Sequence, residues 1–332
     1  MRSVAKPALA AVVALLAVVV LAACGSSSSS SSASGGSSAS AGSSTSTSSS
    51  SGSSGSSSQP GKGKPPIVMG DKNFTEEYLL GDMYQQALQA KGYTVTLKAN
   101  IGSSELTDKA LTSGQIQMYP EYTGVILSVI KGQTKVPVSA ADTYTQAKAF
   151  EAGRGYTLLN PTPFQDRDVT ATLKAFAAKH HLVSMEDLAK LPSFTNGGPP
   201  ENKTRYEGLV GMHEAYHLNN VHFVPLAIGL QYQALDSGKV DSANVFTTDG
   251  QLSSGKYALL TDPKHIYGFQ QVAPVVKTSL LQQEGPAFAQ TLNAVDSKLT
   301  DTVMQKLNAA VVLQKVDAAT VAKEFLKANG LL

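Results

Sequence analysis

Two short stretches decide the fold of this chain: Gly70-Asp71-Lys72-Asn73-Phe74-Thr75-Glu76-Glu77 and Tyr119-Pro120-Glu121-Tyr122-Thr123-Gly124. Each stretch joins a strand pattern to a helix pattern. The first follows a short apolar run at residues 66–69 and opens a segment of helical spacing over 74–91. The second follows a strand pattern at 115–119. Polar and aromatic side chains are therefore concentrated at two strand-to-helix junctions.

The same alternation continues along the rest of the chain. Asn73 or Thr75 is predicted to cap the first helix. Further strands are predicted at 94–98, 156–160, 223–226, 240–245 and 257–260. Further helices are predicted at 105–112, 121–130, 141–153 and 229–237, and residues 279–332 read as mostly helical. Alternating strands and helices predict an α/β fold with mainly parallel sheets.

The N-terminus has the pattern of a secretory signal. Arg2 and Lys6 precede an apolar run at residues 8–21, which is too short to span a bilayer comfortably. The run ends in Leu21-Ala22-Ala23-Cys24-Gly25, which resembles a bacterial lipobox. We therefore predict a signal peptide at 1–23, lipidation of Cys24 and a Ser-rich flexible tether over 24–63. The alternative is an ordinary signal peptide with an incidental cysteine.

Charge and cysteine content narrow the class of protein. The chain has 27 basic and 25 acidic side chains, and loss of Arg2 and Lys6 with the signal would leave the two equal. A neutral chain gives no indication of nucleic-acid binding. The single cysteine cannot form an internal disulfide.

The two quoted stretches resemble the substrate-binding proteins of ABC importers for glycine betaine, choline and related quaternary ammonium compounds, the OpuAC-like family. Later segments, including Leu230-Gln231-Tyr232-Gln233-Ala234-Leu235 and Ala273-Pro274-Val275-Val276, extend the resemblance. It implies a two-lobe type II periplasmic-binding-protein fold. Lobe 1 would hold 64–162 plus 270–332, and lobe 2 would hold 163–269. Two chain crossings, near 161–164 and 265–271, would form a hinge that closes on a ligand.

The resemblance also implies a ligand site. A quaternary ammonium has no N–H donor, so aromatic faces bind its charge, while a betaine carboxylate needs cations or N–H donors. Lys72 matches the lysine of the first stretch, Tyr122 matches a cage tyrosine, and Arg205 matches a carboxylate-binding arginine. Ser103 and Ser104 lie in a loop that can donate to the ligand. The structural alternatives are a cap or a Glu76 pair for Lys72, core packing for Tyr122, and pairing with Glu201 or Glu207 for Arg205.

Three positions depart from the family pattern. Asp168 and Gln270 stand where cage tyrosines are expected, and Phe246 replaces a third tyrosine. Phe246 can still face a cation, Asp168 offers a charge and Gln270 offers a hydrogen bond. A cationic ligand with additional polar groups, such as choline, carnitine or a modified amino acid, fits this site better than glycine betaine.

One other motif points to a different class of protein. His213-Glu214-Ala215-Tyr216-His217 fits H-E-x-x-H, which on a helix places two imidazoles on one face of a zinc site. The segment Leu218-Asn219-Asn220 follows immediately, and no further glutamate occurs before Glu284. Both features count against a zinc site. A secreted zinc hydrolase using this motif is one alternative to the main prediction, and a ligand-sensing binding protein is another.

The main prediction is a non-enzymatic, extracytoplasmic, lipid-anchored solute-binding protein. It would use neither a cofactor nor a metal. Its partners would be a small cationic or zwitterionic solute, the permease and ATPase of an ABC importer, and the outer face of the bacterial membrane through the lipid on Cys24.

Overall fold

The computed structural model describes residues 59–332, which form two five-stranded sheets with helices around them. The predicted signal peptide, Cys24 and nearly all of the predicted tether lie outside the described residues. The first sheet has the spatial order β2-β1-β3-β10-β4. Its strands are β1 (Ile67–Gly70), β2 (Val95–Lys98), β3 (Met118–Tyr122), β4 (Tyr156–Leu158) and β10 (Val272–Lys277).

The second sheet has the order β7-β6-β8-β5-β9 and is built from one continuous part of the chain. Its strands are β5 (Asp168–Leu173), β6 (Phe194–Gly198), β7 (Val221–Pro225), β8 (Ser242–Phe246) and β9 (Tyr257–Leu259). We keep the predicted limits, 64–162 plus 270–332 for lobe 1 and 163–269 for lobe 2, as working definitions.

Ten α-helices occur in the described residues. They are α1 (Thr75–Ala90), α2 (Ser104–Thr112), α3 (Ala140–Gly153), α4 (Lys174–His180), α5 (Gly211–Glu214), α6 (Gln231–Asp236), α7 (Thr278–Glu284), α8 (Pro286–Asp296), α9 (Asp301–Val312) and α10 (Ala318–Ala328). In addition, a three-residue helical turn at Thr123–Val125 runs into a π-helical segment at Ile126–Ile130. Within residues 59–332, no helix is both long and apolar enough to cross a membrane.

The sheets are mainly parallel, as predicted, because four of the five strands in each run in the same direction. In each sheet one strand runs against its neighbours: β10 is antiparallel to β3 and β4, and β5 is antiparallel to β8 and β9. The remaining pairs are parallel. Both reversed strands directly follow a crossing between the lobes, so they enter their sheet from the side of the other lobe.

The core of lobe 1 is completed by the C-terminal helices. The buried face of α1 carries Leu79, Leu80, Met83 and Leu88, which belong to one apolar cluster with residues of α8, α9 and α10. The apolar spacing of α1 predicts such a face. The start of α1 differs from the prediction, because its N-cap is Phe74 and no side chain caps it.

The two crossing segments are hydrogen-bonded to each other. Gln165 and Gln271 form an isolated antiparallel bridge, and the Asp166 N–H donates to the Gln270 carbonyl at 3.0 Å. Near the start of the described residues, the Gly61 N–H donates to the carbonyl of Lys91 at 3.0 Å. Gly61, which the prediction places in the tether, is thus hydrogen-bonded to the residue that follows α1.

Candidate functional site

A cleft between the two lobes contains all eight residues that the sequence places in the site. Lobe 1 contributes Lys72 after β1, Ser103 and Ser104 at the start of α2, and Tyr122 at the end of β3. The other four come from lobe 2 and the second crossing: Asp168, Arg205, Phe246 and Gln270. Strand ends and helix starts thus bring together side chains that are far apart in sequence.

Three stacked aromatic rings form one wall of the cleft. The Phe74 ring lies between Tyr122, at a centroid distance of 6.1 Å, and Phe246, at 5.4 Å. Phe74 and Tyr122 come from lobe 1 and Phe246 from lobe 2, so the stack spans the cleft. Phe74 belongs to the first quoted stretch but was not among the predicted site residues. Its place at the junction before α1, between Asn73 and Thr75, was the available signal.

Lys72 is buried and paired within lobe 1. Its Nζ contacts a carboxylate oxygen of Glu121 and lies 3.5 Å from Glu77 Oε1. The partner is therefore not Glu76, which the sequence offered as the alternative. The same ammonium lies 4.3 Å from the centre of the Tyr122 ring. A cation of the protein itself thus occupies one face of the predicted cage tyrosine.

Ser104 and Ser103 support this corner of the cleft. The Lys72 ammonium lies 3.5 Å from Ser104 Oγ, the limit of a hydrogen bond. Ser103 is the N-cap of α2 and its side chain makes no capping bond. Ser103 lies in the cleft lining, and a hydrogen bond from its side chain helps to lower the pKa of Glu105.

Arg205 connects the two lobes. Its Nε and Nη2 donate to the two carboxylate oxygens of Glu105, at 3.1 and 2.7 Å, and its Nη1 lies 3.4 Å from Glu207 Oε1. Glu207 was a predicted alternative partner, but Glu105 was not. Burial opposes ionisation of Glu105, yet the bonds from Arg205 dominate and lower the Glu105 pKa to about 2. The pair is a strong, charge-assisted contact across the cleft.

Asp168 and Phe246 face each other as register partners of β5 and β8. Burial raises the pKa of Asp168 to about 8; repulsion from Glu207 adds to this shift, and Arg205 opposes it. Burial likewise raises the pKa of Asp166 and of Glu207. The cleft therefore holds carboxyl groups that an arriving cation would help to ionise.

Gln270 is held mainly by the protein. Its Oε1 accepts from the Val125 N–H at 3.0 Å, and its Nε2 donates to the Tyr267 carbonyl at 3.3 Å. Only 3% of the residue is exposed. It lies in the cleft lining, as predicted, and its amide also joins the second crossing to lobe 1.

A buried polar cluster lies behind the aromatic wall. Glu76 accepts hydrogen bonds from the Tyr122 hydroxyl at 2.7 Å, from Thr248 Oγ1 at 2.6 Å and from Asn308 Nδ2 at 3.1 Å. Burial nevertheless raises the Glu76 pKa to about 7. Thr248 belongs to lobe 2, so this cluster is a second polar connection between the lobes.

The H-E-x-x-H segment does not form a metal site. His213 and Glu214 lie on α5, which ends at Glu214, and His217 has a left-handed backbone with φ of +55°. The two imidazoles are therefore not on consecutive turns of one helix. In the part of the chain that the structure covers, no three His, Cys, Asp or Glu residues are placed to hold a metal ion.

A ligand cleft between two α/β lobes joined by two crossing segments defines a solute-binding protein with the type II periplasmic-binding-protein fold. The chain belongs to the family described as the substrate binding domain of the ABC-type glycine betaine transport system, whose model matches residues 65–328.

Known proteins agree with this assignment. The chain is 33% identical to the glycine-betaine-binding protein of Pseudomonas aeruginosa, over 80% of this chain and 88% of that one. It is 29% identical to the glycine betaine-binding protein YehZ of Escherichia coli K12, over 82% and 93% of the two chains. A solved glycine betaine/carnitine/choline ABC transporter structure shares the fold, with a TM-score of 0.65 at 24% identity over 80% of this chain and 99% of that one.

Proposed function

We propose that this protein captures a quaternary ammonium or related zwitterionic solute, of the glycine betaine, choline and carnitine class, between Phe74, Phe246 and the carboxylates of the cleft. Closure of the lobes would present the loaded protein to an ABC permease driven by its ATPase. Binding and closure make and break no covalent bond, so the protein would act without catalysis.

The observation that carries this proposal is the combination of aromatic and acidic groups in one cleft. Aromatic faces attract a cation that has no N–H groups, with about 0.5–2 kcal/mol for each well-placed ring. The lining also holds Asp166, Asp168, Glu201 and Glu207 against two cationic side chains, Lys72 and Arg205. Carboxyl groups therefore outnumber cationic side chains in the lining, and a ligand with a positive group would favour their ionised forms.

The remaining elements of the proposal concern location. Lipidation of Cys24 would anchor the protein to the outer face of the cell membrane, and the Ser-rich segment would let it reach the permease. Mass spectrometry of the protein from its native membrane tests this step. A mature N-terminus at Cys24 carrying a diacylglyceryl group is expected, and a cleavage site elsewhere would contradict it.

Thermal unfolding of the full chain in mild detergent tests ligand capture. The solutes are glycine betaine, proline betaine, choline, carnitine, ergothioneine and, as controls, ordinary amino acids. A ligand that binds only the folded state stabilises it by about 2.7 kcal/mol at a hundredfold excess over its dissociation constant. A rise in Tm with at least one quaternary ammonium compound is expected. No shift with any of them, in a cooperatively unfolding protein, would contradict the proposal.

A further inference from the structure

The guanidinium of Arg205 is already bound by two carboxylates of the protein. Glu105 takes the Nε/Nη2 edge with two hydrogen bonds, and Glu207 lies at Nη1. This is the bidentate geometry with which an arginine would bind the carboxylate of a solute. Arg205 retains N–H groups that make none of these bonds, but one positive charge here faces two negative ones. A third carboxylate would meet net repulsion.

The other cation of the cleft has the same arrangement. Lys72 is paired with both Glu77 and Glu121, and all three side chains are buried. Neither cationic side chain in the lining is left with excess positive charge. Within residues 59–332, in contrast, Asp166 and Asp168 form no ion pair. The groups of the cleft that have no charged partner are therefore carboxyl groups, which an arriving cation would help to ionise.

Building on the proposed function, we infer that Glu105 is a specificity-determining residue: it holds Arg205 in place of a solute carboxylate. The cleft then favours a quaternary ammonium compound without a carboxylate, such as choline, over betaines. A betaine would have to displace Glu105 from Arg205 before its own carboxylate could bind there, and it would gain only one ion pair in exchange for another.

The position of Glu105 suits this role. It lies in the first turn of α2, directly after Ser103 and Ser104, and 43% of its side chain is exposed. Replacing Glu105 creates no cavity in an apolar core. It also leaves no buried charge at position 105. Glu207, the other partner of Arg205, is buried, and it also accepts a bond from Ser128 at 3.0 Å. Of the two carboxylates, Glu105 is thus the one that a substitution can remove cleanly.

Calorimetric titration of the full chain with choline and with glycine betaine tests the inference. Wild type is expected to bind choline more tightly. Glu105→Gln should tighten glycine betaine binding by about tenfold, which corresponds to one charge-assisted hydrogen-bonded pair. Choline binding should change by less than about threefold. The double variant Glu105→Gln with Arg205→Gln should lose the gain for betaine, because the freed guanidinium is the cause of it.

Glu201→Gln is the charge-matched control. Glu201 also lines the cleft, and no bond joins it to Arg205 in the described part of the chain. This variant removes one negative charge and leaves the two hydrogen bonds from Arg205 to Glu105 intact. If Glu201→Gln changed the betaine-to-choline ratio as much as Glu105→Gln did, net charge alone would be the cause and the inference would be wrong.

Two further outcomes separate this inference from the proposed function. If Glu105→Gln weakened or strengthened both solutes equally, Glu105 would only affect lobe closure, and the inference would fail while the proposed function stood. If neither solute bound to wild type or to any variant, the proposed function itself would fail for these ligands.

Discussion

Asp168 combines a position in the cleft with surroundings that resist its ionisation. Its pKa of about 8 arises first from burial and then from repulsion by Glu207. Only the ionised form attracts a cation, and a bound cation in turn favours ionisation. Cation affinity should therefore rise with pH as Asp168 loses its proton, and binding near neutral pH should release protons.

The Asp168→Asn variant tests this coupling. Calorimetric titration with choline between pH 6 and pH 9 should show wild-type affinity rising with pH and levelling off above about pH 8. Asp168→Asn should bind more weakly at high pH and lose most of the slope. A variant that keeps the wild-type slope would assign the titration to another carboxyl group, and tighter cation binding would contradict a direct contact.

The sequence indicated which residues meet in the cleft better than it indicated their partners. Lys72, Tyr122 and Phe246 adjoin strand ends, so local patterns could place them. The partner of Arg205 is Glu105, one hundred residues away and in the other lobe. No local spacing encodes such a pair, since it depends on how the two lobes meet. Lys72 similarly pairs with Glu121 across β1 and β3, which requires knowledge of the strand order.

At the scale of elements, the contact between the 3₁₀ segment Gly250–Ser254 of lobe 2 and α9 of lobe 1 depends on a glycine. A methyl group at Gly250 would lie 2.5 Å from Cα of Ala309. Because that atom is backbone, one of the two elements must move. Gly250→Ala should therefore destabilise the fold by about 1–3 kcal/mol, the usual cost of overpacking. Urea unfolding measures it.

Gly153→Ala is the matched control for this substitution. Gly153 ends α3, and no atom lies within 4 Å of a methyl group built there. Alanine is the better helix former, so stability should be unchanged or slightly higher. Equal losses in the two variants would show that the contact with Ala309 is not the cause.

Two strands of lobe 2, β5 and β6, were not predicted. Strand β6 reads Phe-Thr-Asn-Gly-Gly and was not predicted, because its two glycines lack the side chains that mark a strand. A methyl group at its Gly197 would lie 2.6 Å from Leu226 Cδ1, so the Leu226 side chain would have to shift. Strand β5 was missed although its Val and Thr residues favour a strand. The direction of β5 and β10 could not be read locally, because it follows from the two crossings.

At the scale of the whole molecule, several buried carboxyl groups oppose stability at high pH. Burial raises the pKa values of Asp71, Glu76 and Glu151 to about 7. The unfolded chain has values near 4, so between these limits the folded state binds more protons. Stability therefore falls as pH rises through this range. The urea midpoint should be higher at pH 5 than at pH 8; an equal or lower midpoint would contradict this.

The polar cluster around Glu76 is expected to favour the closed arrangement. Asn308 Nδ2 donates to Glu76 in lobe 1 and to the carbonyl of Thr248 in lobe 2, at 3.1 and 3.0 Å. Asn308→Ala removes both bonds and should shift the ligand-free protein toward open forms. Small-angle scattering should then give a larger radius of gyration, which a tightly bound solute should reverse.

Asn329→Ala is the control, because within residues 59–332 the Asn329 Nδ2 donates only to the Phe325 carbonyl of its own helix end. It should leave the radius of gyration unchanged. If Asn308→Ala also left it unchanged, the cluster would not determine closure.

The position of β10 between β3 and β4 determines the order in which the two lobes can fold during synthesis. Among the described residues, the one strand that pairs with β4 is β10, which lies more than one hundred residues later in the chain. All strands of lobe 2 leave the ribosome before β10 does. Lobe 2 can thus fold as a unit while β3 of lobe 1 is still unpaired on one side. A chain truncated before residue 272 would consequently lose the lobe whose first strands were made earliest.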